Sequence, residues 1–255
     1  MFLLLFIATA LGNAPSAEAL MAAWARHERA IGRHGQHPIA PTESDFRTMA
    51  AGGVAKRRVL ETGPDRAVGM IWTPVDRDRV WIAILDDIHD TVVSSLREER
   101  LPRSPTDRKR LYQHLSLPWP FADRQWVIEI WNNRALVEST EGGVWERAWD
   151  LADPGLMATP DPSAVWVPMT NGSWFLVPVH GGTMVAYSAR STIGGAIPHD
   201  LVTRWAMATL DEMLGHVADR AAGIQHHYTK GHEPIAGADG IPIPPAKGSI
   251  QQSVP

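Results

Sequence analysis

Apolar and polar residues alternate with a period of two through the middle of the chain, which is typical of β-strands buried on one face. The pattern predicts strands over residues 91–101, 110–117, 125–131, 144–151, 164–169, 174–179 and 184–191, after earlier strands at 54–61 and 67–72. Asn171-Gly172 and Gly181-Gly182 have the composition of two-residue hairpin turns. Consecutive strands are therefore expected to pair in an antiparallel sheet.

Other segments have the 3.6-residue period of amphipathic helices. Residues 20–31 form one such segment, and residues 73–90 another, with Thr73 as N-cap and Pro74 in the first position. The longest spans 199–222 and ends at Gly223. It carries a broad apolar face made of Leu201, Trp205, Leu210, Met213, Leu214 and Val217.

The order of elements is short helices, strands joined by tight turns, and then one long helix. An antiparallel sheet curves by its own twist, and only the terminal helix is long enough to cover the concave face. The sequence thus predicts an α+β helix-grip fold, a curved antiparallel sheet wrapped around a long C-terminal helix, with N-terminal helices. The space between sheet and helix suits an apolar ligand.

The two ends of the chain are expected to lie outside this domain, which spans residues 20–223. Residues 2–11 are apolar, and Ala17-Glu18-Ala19 resembles a cleavage site, so residues 1–19 are predicted to be a signal peptide, although no basic residue precedes Arg26. If so, the protein is expected to be secreted or periplasmic. Residues 224–255 are rich in Pro and Gly and are predicted to form a flexible tail.

Composition narrows the function classes. The net charge of -4 gives no basic bias toward nucleic acid, and the absence of cysteine excludes disulfides, thiol nucleophiles and Cys-zinc sites. The chain has 11 Trp against 5 Phe and 3 Tyr. Trp brings large apolar area and one N–H donor, which suits a core, a pocket or an interface.

Two segments resemble the START/SRPBCC superfamily, most closely the START lipid-transfer domains. Residues 117–127 read LPWPFADRQWV, similar to the family's Pro-aromatic-Pro, turn, Arg-Asp-aromatic-Val stretch. Residues 194–202 read GGAIPHDLV, similar to the Gly-Gly-x-Ile-Pro stretch before the terminal helix. The resemblance covers residues 50–222 and implies the same fold and a cavity for a lipid, sterol or polyketide, mostly without chemistry.

The chain departs from the family pattern at the sites that would set specificity. Gln125 replaces the Asp after the motif's Arg, and Ser191 and Thr192 stand where the family often has an Asp. Ile130 aligns with a charged cavity residue of sterol carriers, which indicates a more apolar cavity. The resemblance also implies a lid at residues 153–163, with Leu156 and Met157 near its tip, and structural roles for Arg124, Gly194, Gly195 and Pro198.

Strand alternation and the helix stripe predict which side chains face the cavity. The alternative for each is ordinary core packing. Arg147, Tyr187 and Tyr112 are the polar candidates for orienting a ligand, and Arg147 must be paired if it is buried. The full predicted set is Tyr112, Trp126, Ile128, Ile130, Trp145, Arg147, Trp149, Trp174, Tyr187, Leu201, Trp205 and Met213.

No recognisable catalytic or metal motif accompanies these residues. The histidine groups His27, His34 and His37, and His226, His227 and His232, are not spaced to converge on a metal, and nothing orients His114 or His180 for catalysis. We therefore expect a carrier of an apolar small molecule, with no cofactor and with transient membrane contact. The alternatives are a cyclase/aromatase- or hydrolase-like enzyme of the same superfamily and a protein-interaction module.

Overall fold

An antiparallel sheet forms the centre of the computed structural model, which describes residues 14–85, 96–101, 108–156, 159–195, 197–230 and 234–245. The strands of the sheet are β1 (Ala55–Val59), β2 (Arg66–Thr73), β3 (Leu96–Arg100), β4 (Arg108–Leu115), β5 (Arg124–Asn132), β6 (Trp145–Leu151), β7 (Val165–Trp166), β8 (Met169–Val179) and β9 (Gly182–Thr192). Their spatial order is β1-β2-β9-β8-β6-β5-β4-β3, and β7 pairs in parallel with β5. The predicted antiparallel sheet is confirmed. The hairpin turn predicted at Gly181-Gly182 lies one residue earlier, at His180-Gly181, because Gly182 already pairs with Val179.

Helices cover both faces of this sheet. On one face, here called the cavity face, lie α4 (Arg77–Leu85) and the long α6 (His199–Gly223). The opposite outer face packs against α1 (Ala17–Ala25), α2 (Glu28–His34) and α3 (Glu43–Ala50). A short α5 (Arg134–Ser139) links β5 to β6. The sheet and terminal helix form the helix-grip architecture that the sequence predicts.

The terminal helix rests on one half of the sheet only. Gly69 on β2 allows this, because a Cβ there would lie 2.8 Å from Leu214 Cδ1 and 3.1 Å from Leu210 Cδ2. Leu210 and Leu214 are almost fully buried. The close contact at β2 leaves the space between α6 and the β3–β6 half of the sheet open.

The predicted hairpin at Asn171-Gly172 is wrong, because β8 runs without a break from Met169 to Val179. Gly172 pairs with Trp149 on one side and with Ala189 on the other. A Cβ at Gly172 would lie 2.2 Å from the Trp149 ring and 2.2 Å from the Ser188 carbonyl oxygen. The glycine therefore makes room within a strand and does not form a turn.

Several helix boundaries also differ from the pattern-based prediction. Residues 20–31 are divided between α1 and α2, and α3 forms where no helix was predicted. Thr73 ends β2 and does not cap a helix. Asp76 does so instead, since its carboxylate accepts a hydrogen bond of 3.0 Å from Arg79 N. Asn133 is the N-cap of α5, where its side chain accepts from Leu136 N at 3.2 Å.

The prediction of a flexible tail is wrong for residues 224–230 and 234–245. Gly223 does not end the helical stretch, because a 3₁₀ helix, Ile224–His226, follows. A hairpin of β10 (Ile235–Ala236) and β11 (Pro242–Ile243) then packs on α4. Tyr228 fastens it, since its hydroxyl donates to Ile243 O at 2.6 Å and accepts from Ile235 N at 2.8 Å.

The predicted cleavage motif falls inside the first described helix. Ala17–Ala19 form the first turn of α1, and the Ser16 hydroxyl caps it by accepting from Ala19 N at 3.3 Å. Leu20 is fully buried. Residues 1–13, the apolar part of the predicted signal peptide, lie outside the described residues. Among the residues described, no helix is both long and apolar enough to span a bilayer.

Candidate functional site

A cavity of about 360 Å³ lies between α6 and the β3–β6 half of the sheet. It occupies the space left open because α6 sits against β2. The α4 residues Ala83 and Ile84 close one side. Aliphatic side chains complete much of the wall: Leu96, Leu111, Leu115, Val202, Leu210 and Val217. A volume of this size matches a single drug-sized ligand.

The floor of the cavity is aromatic. Trp149 on β6 and Tyr187 on β9 are stacked, with ring centroids 5.6 Å apart and an interplanar angle of 25°. Trp174 on β8 tilts onto the same tyrosine at 4.6 Å. Burial raises the pKa of the Tyr187 phenol, so the hydroxyl stays protonated at neutral pH. The floor is therefore uncharged.

Most of the predicted cavity residues do meet at this site. Strand β5 contributes alternate residues, as its period indicated. The terminal helix contributes the residues that face the sheet. The predicted residues that line the cavity are Trp126, Ile128, Ile130, Arg147, Trp149, Trp174, Tyr187, Trp205 and Met213.

Tyr112, Trp145 and Leu201 were also predicted to bind ligand, but they do not line the cavity. Tyr112 points to the outer face of β4, where its hydroxyl donates to Gln125 Oε1 at 3.1 Å. Trp145 lies beyond the end of the cavity, packed against Trp81 with ring centroids 5.2 Å apart. Leu201 is 52% exposed in the first turn of α6.

Arg147 is a buried cation on the cavity face, only 6% exposed. Its Nη1 donates to Asn132 Oδ1 at 3.2 Å, across the β5–β6 pair. In the same cross-strand row, Arg147 is opposite Trp174, which is opposite Tyr187. The guanidinium thus lies beside the aromatic floor, where it can meet a polar group of a ligand.

The cavity also has a polar wall on β3 and β4 that was not predicted from the sequence. Trp126 Nε1 donates to Gln113 Oε1, and Gln113 Nε2 donates to Glu98 Oε1. These residues form a cross-strand row in the cavity. His216 and Arg220 on α6 also line it. Charged residues alternate along the predicted strand 91–101, and this alternation was the one signal for Glu98.

Arg124 holds the segment before α6 in place. Its Nε donates to Ile193 O at 2.5 Å, its Nη2 to Gly194 O at 3.2 Å, and its Nη1 to Ala122 O. Gly194 and Gly195 both have φ of +69°, a conformation that favours glycine. Pro198 has extended backbone and precedes α6 as its N-cap. These contacts join the β4–β5 turn to the start of the helix.

Four exposed apolar side chains lie in the β4–β5 turn and in the first turns of α6. Trp119 in the β4–β5 turn is 93% exposed, and Phe121 nearby is 46% exposed. Trp205 on α6 is 44% exposed although it lines the cavity. Trp205 is thus both exposed and part of the cavity wall. We call the four exposed residues Trp119, Phe121, Leu201 and Trp205 the rim.

The predicted lid loop is held at its second half. Gln125 is 1% exposed and binds the backbone of Asp161 and Ala164. His114 Nε2 lies 3.4 Å from Asp161 Oδ2. In the first half of the loop, Leu156 ends a short 3₁₀ helix, Pro154–Leu156. Met157 lies outside the described residues.

The predicted histidine groups point to separate partners. His37 Nε2 lies 3.2 Å from Asp150 Oδ1, whereas His27 packs against Gly143. His232 is outside the described residues. Across the described part of the chain, no group of three or more His, Asp or Glu side chains is arranged to hold a metal.

Comparison with known proteins shows the fold. No family model and no curated protein sequence matches the chain. A STAR-related lipid transfer protein fragment from Xanthomonas axonopodis superposes with a TM-score of 0.54 and 21% identity, over 66% of this chain and 92% of that one. Human STARD10 gives a TM-score of 0.54 with 10% identity, over 76% and 84%. Human StAR-related lipid transfer protein 5 gives 0.52 with 12% identity, over 82% and 98%.

The chain therefore has the START/SRPBCC helix-grip fold, as the two sequence motifs implied. It is similar in structure to lipid transfer domains of bacterial and human origin. The cavity described above lies between the sheet and the terminal helix of this fold.

Proposed function

We propose that the protein binds and carries an apolar small molecule in the cavity between α6 and the sheet. The observation that carries this proposal is the cavity itself, bordered by aromatic and aliphatic side chains from both the sheet and the helix. Each 100 Å² of apolar ligand surface moved out of water contributes about 2.5 kcal/mol. The names of the structural neighbours, which are lipid transfer proteins, support a lipid or a molecule of similar apolarity.

Arg147 and Tyr187 supply the polar groups that orient the ligand in this proposal. Both border the cavity beside Trp174. The neutral Tyr187 hydroxyl offers a donor and an acceptor, while Arg147 offers donors and charge. A ligand with one polar end and an apolar body would satisfy both, with the body lying against Trp149 and the aliphatic wall.

A pair of substitutions on α6 tests whether the cavity is the binding site. Ala206 borders the cavity, and Ala208 on the same helix is exposed. Ala206→Phe should fill the cavity and reduce binding of an uncharged apolar fluorophore at least tenfold. Ala208→Phe adds the same ring at the surface and should leave binding unchanged. Equal binding by both variants would place the ligand elsewhere.

An enzyme of the same fold is the second candidate, because Glu98 and His216 border the cavity and have the side chains of general acids and bases. The test is the mass of a bound molecule before and after incubation with the protein. An unchanged mass supports the carrier. A mass change that is lost in Glu98→Gln would support the enzyme. The interaction-module alternative needs a filled core, and the cavity disfavours it.

We also propose that the rim touches a membrane while ligand passes to or from the cavity. Trp and Phe favour the boundary between lipid headgroups and hydrocarbon. Trp205 supports this, since it is exposed at the rim and also lines the cavity. A ligand of low water solubility would then travel from lipid to protein along apolar surface.

We further propose that the protein is exported, because residues 2–11 form an apolar run typical of signal peptides. A cut after Ala19 would remove Ser16 and the first turn of α1, leaving Leu20 at the new terminus. Fractionation of the host tests export directly. Recovery of the protein only from the cytoplasmic fraction would contradict it.

A further inference from the structure

Gly172 lies in the middle of strand β8, where the chain makes no turn. Its backbone is in a conformation open to any residue, so its restriction is one of space. A Cβ would meet Trp149 Cζ2 at 2.2 Å and the Ser188 carbonyl oxygen at 2.2 Å. Any side chain at this position would displace the Trp149 ring from the face of β8 and would also press on the backbone of β9.

Because Gly172 has no side chain, Trp149 lies across β8 and reaches Tyr187 on the next strand. The two rings stack at 5.6 Å with 25° between their planes. Trp174 joins them, with its centroid 4.6 Å from that of Tyr187. Three strands thus present one continuous aromatic surface to the cavity.

These rings differ from the aromatic residues that fill the core. Trp81 and Trp145 are 0% and 2% exposed and pack against each other. Trp149, Trp174 and Tyr187 are each only partly buried, and each borders the cavity. Their free faces are available to a ligand, whereas those of the core pair are not.

Resting on the proposed function, we propose that the cavity selects a ligand with a flat, conjugated or fused ring system, which stacks on Trp149 and Tyr187, and that Gly172 determines this preference. A flat π-system that stacks on aromatic rings gains binding free energy in addition to that of its buried area. A flexible saturated chain gains only the contribution of its buried area. Trp126 and Trp205 also border the cavity.

Two uncharged probes separate this preference from general apolar binding. 1-Pyrenemethanol carries a flat fused ring, and 1-dodecanol carries a saturated chain. Equilibrium dialysis against each measures its dissociation constant, with pyrene fluorescence and a radiolabel as readouts. The unaltered protein is expected to bind the pyrene probe more tightly than the chain.

Trp149→Leu keeps the site apolar and removes the stacking ring. We expect it to weaken 1-pyrenemethanol binding about tenfold while changing 1-dodecanol binding less than twofold. Gly172→Ala should act in the same direction by moving Trp149. Gly215→Ala, where an added Cβ meets nothing within 4 Å, is the matched control and should change neither.

The outcomes distinguish the inference from the proposed function. If both probes lose affinity equally in Trp149→Leu, or if the chain probe binds the unaltered protein more tightly, the ring preference is wrong while apolar binding stands. If neither probe binds the unaltered protein, the proposed function fails with it. Should Gly172→Ala not fold, Trp149→Leu still decides whether the stacking ring sets the preference.

Discussion

Gln125 and Asp161 bind each other through two hydrogen bonds in opposite directions. Gln125 Nε2 donates to the Asp161 carbonyl at 2.7 Å, and Asp161 N donates to Gln125 Oε1 at 3.0 Å. Gln125 stands where the START-like motif has an aspartate. An amide has both a donor and an acceptor, so it can satisfy both backbone groups of the lid loop, which a carboxylate cannot.

Gln125→Glu is therefore expected to loosen the lid loop. The new carboxylate would face the carbonyls of Asp161 and Ala164 in place of a donor. We predict a loss of about 1–3 kcal/mol in the free energy of unfolding and faster proteolysis within residues 153–163. Denaturant titration and limited proteolysis measure the two effects. Unchanged cleavage in this loop would show that Gln125 does not hold it.

Glu146 is a fully buried carboxylate on the outer face of β6. It accepts hydrogen bonds from Gln36 N at 3.0 Å, Asn133 Nδ2 at 2.6 Å and Ser173 Oγ at 2.6 Å. Burial nevertheless raises its pKa above the ordinary value of 4.5. The folded protein thus holds this proton more tightly than the unfolded chain does.

The unfolding free energy should therefore contain a contribution from Glu146 that falls as pH rises above about 4.5 and levels off above the raised pKa. Glu146→Gln lacks this titration. We expect the difference in stability, unaltered protein minus variant, to decline across that window. A difference that rises with pH would mean that the folded pKa is lowered.

The period of two was enough to place much of the site. It correctly set Trp126, Ile128 and Ile130 on one face of β5, because alternate side chains share a face wherever a strand is regular. It also put Trp145 on the face of Arg147 and Trp149, which is correct. What it could not show is that the cavity ends before Trp145, since Trp81 and the C-terminal hairpin fill that end.

Other features depended on contacts between distant parts of the chain. Asn171-Gly172 has the composition of a hairpin turn. Its actual role, which is to leave space for the Trp149 ring, becomes visible only in the folded structure. The C-terminal segment is held in place by a few specific contacts and not by an apolar face. Its packing therefore leaves no periodic pattern in the sequence. Among these contacts is the hydrogen bond of 3.0 Å from Trp81 Nε1 to Ala236 O.

Gly237 allows the C-terminal hairpin to approach Trp145. A Cβ there would lie 2.5 Å from Trp145 Cη2. We predict that Gly237→Ala lowers the free energy of unfolding by about 1–3 kcal/mol. The same change at Gly215 in α6 meets nothing within 4 Å and should stabilise by up to about 1 kcal/mol. Equal effects of the two changes in thermal unfolding would rule out a packed hairpin.

The rim residue Trp119 provides the test of membrane contact. Trp119→Ala should reduce sedimentation of the protein with phosphatidylcholine vesicles about threefold or more, because an interfacial Trp is lost. Trp131→Ala is the control, since Trp131 lies half-buried on the outer face, with the Arg108 guanidinium 4.9 Å from its ring centroid. Equal losses in both variants would argue against a contact through the rim.

The most direct test of the central claim is native mass spectrometry of the protein purified from its own host, followed by organic extraction and identification of what is released. We predict a stoichiometric apolar molecule in the unaltered protein and in Ala208→Phe, and its loss in Ala206→Phe. A mass without ligand in all three proteins, together with no binding to a broad panel of lipids and polycyclic compounds, would contradict the carrier function.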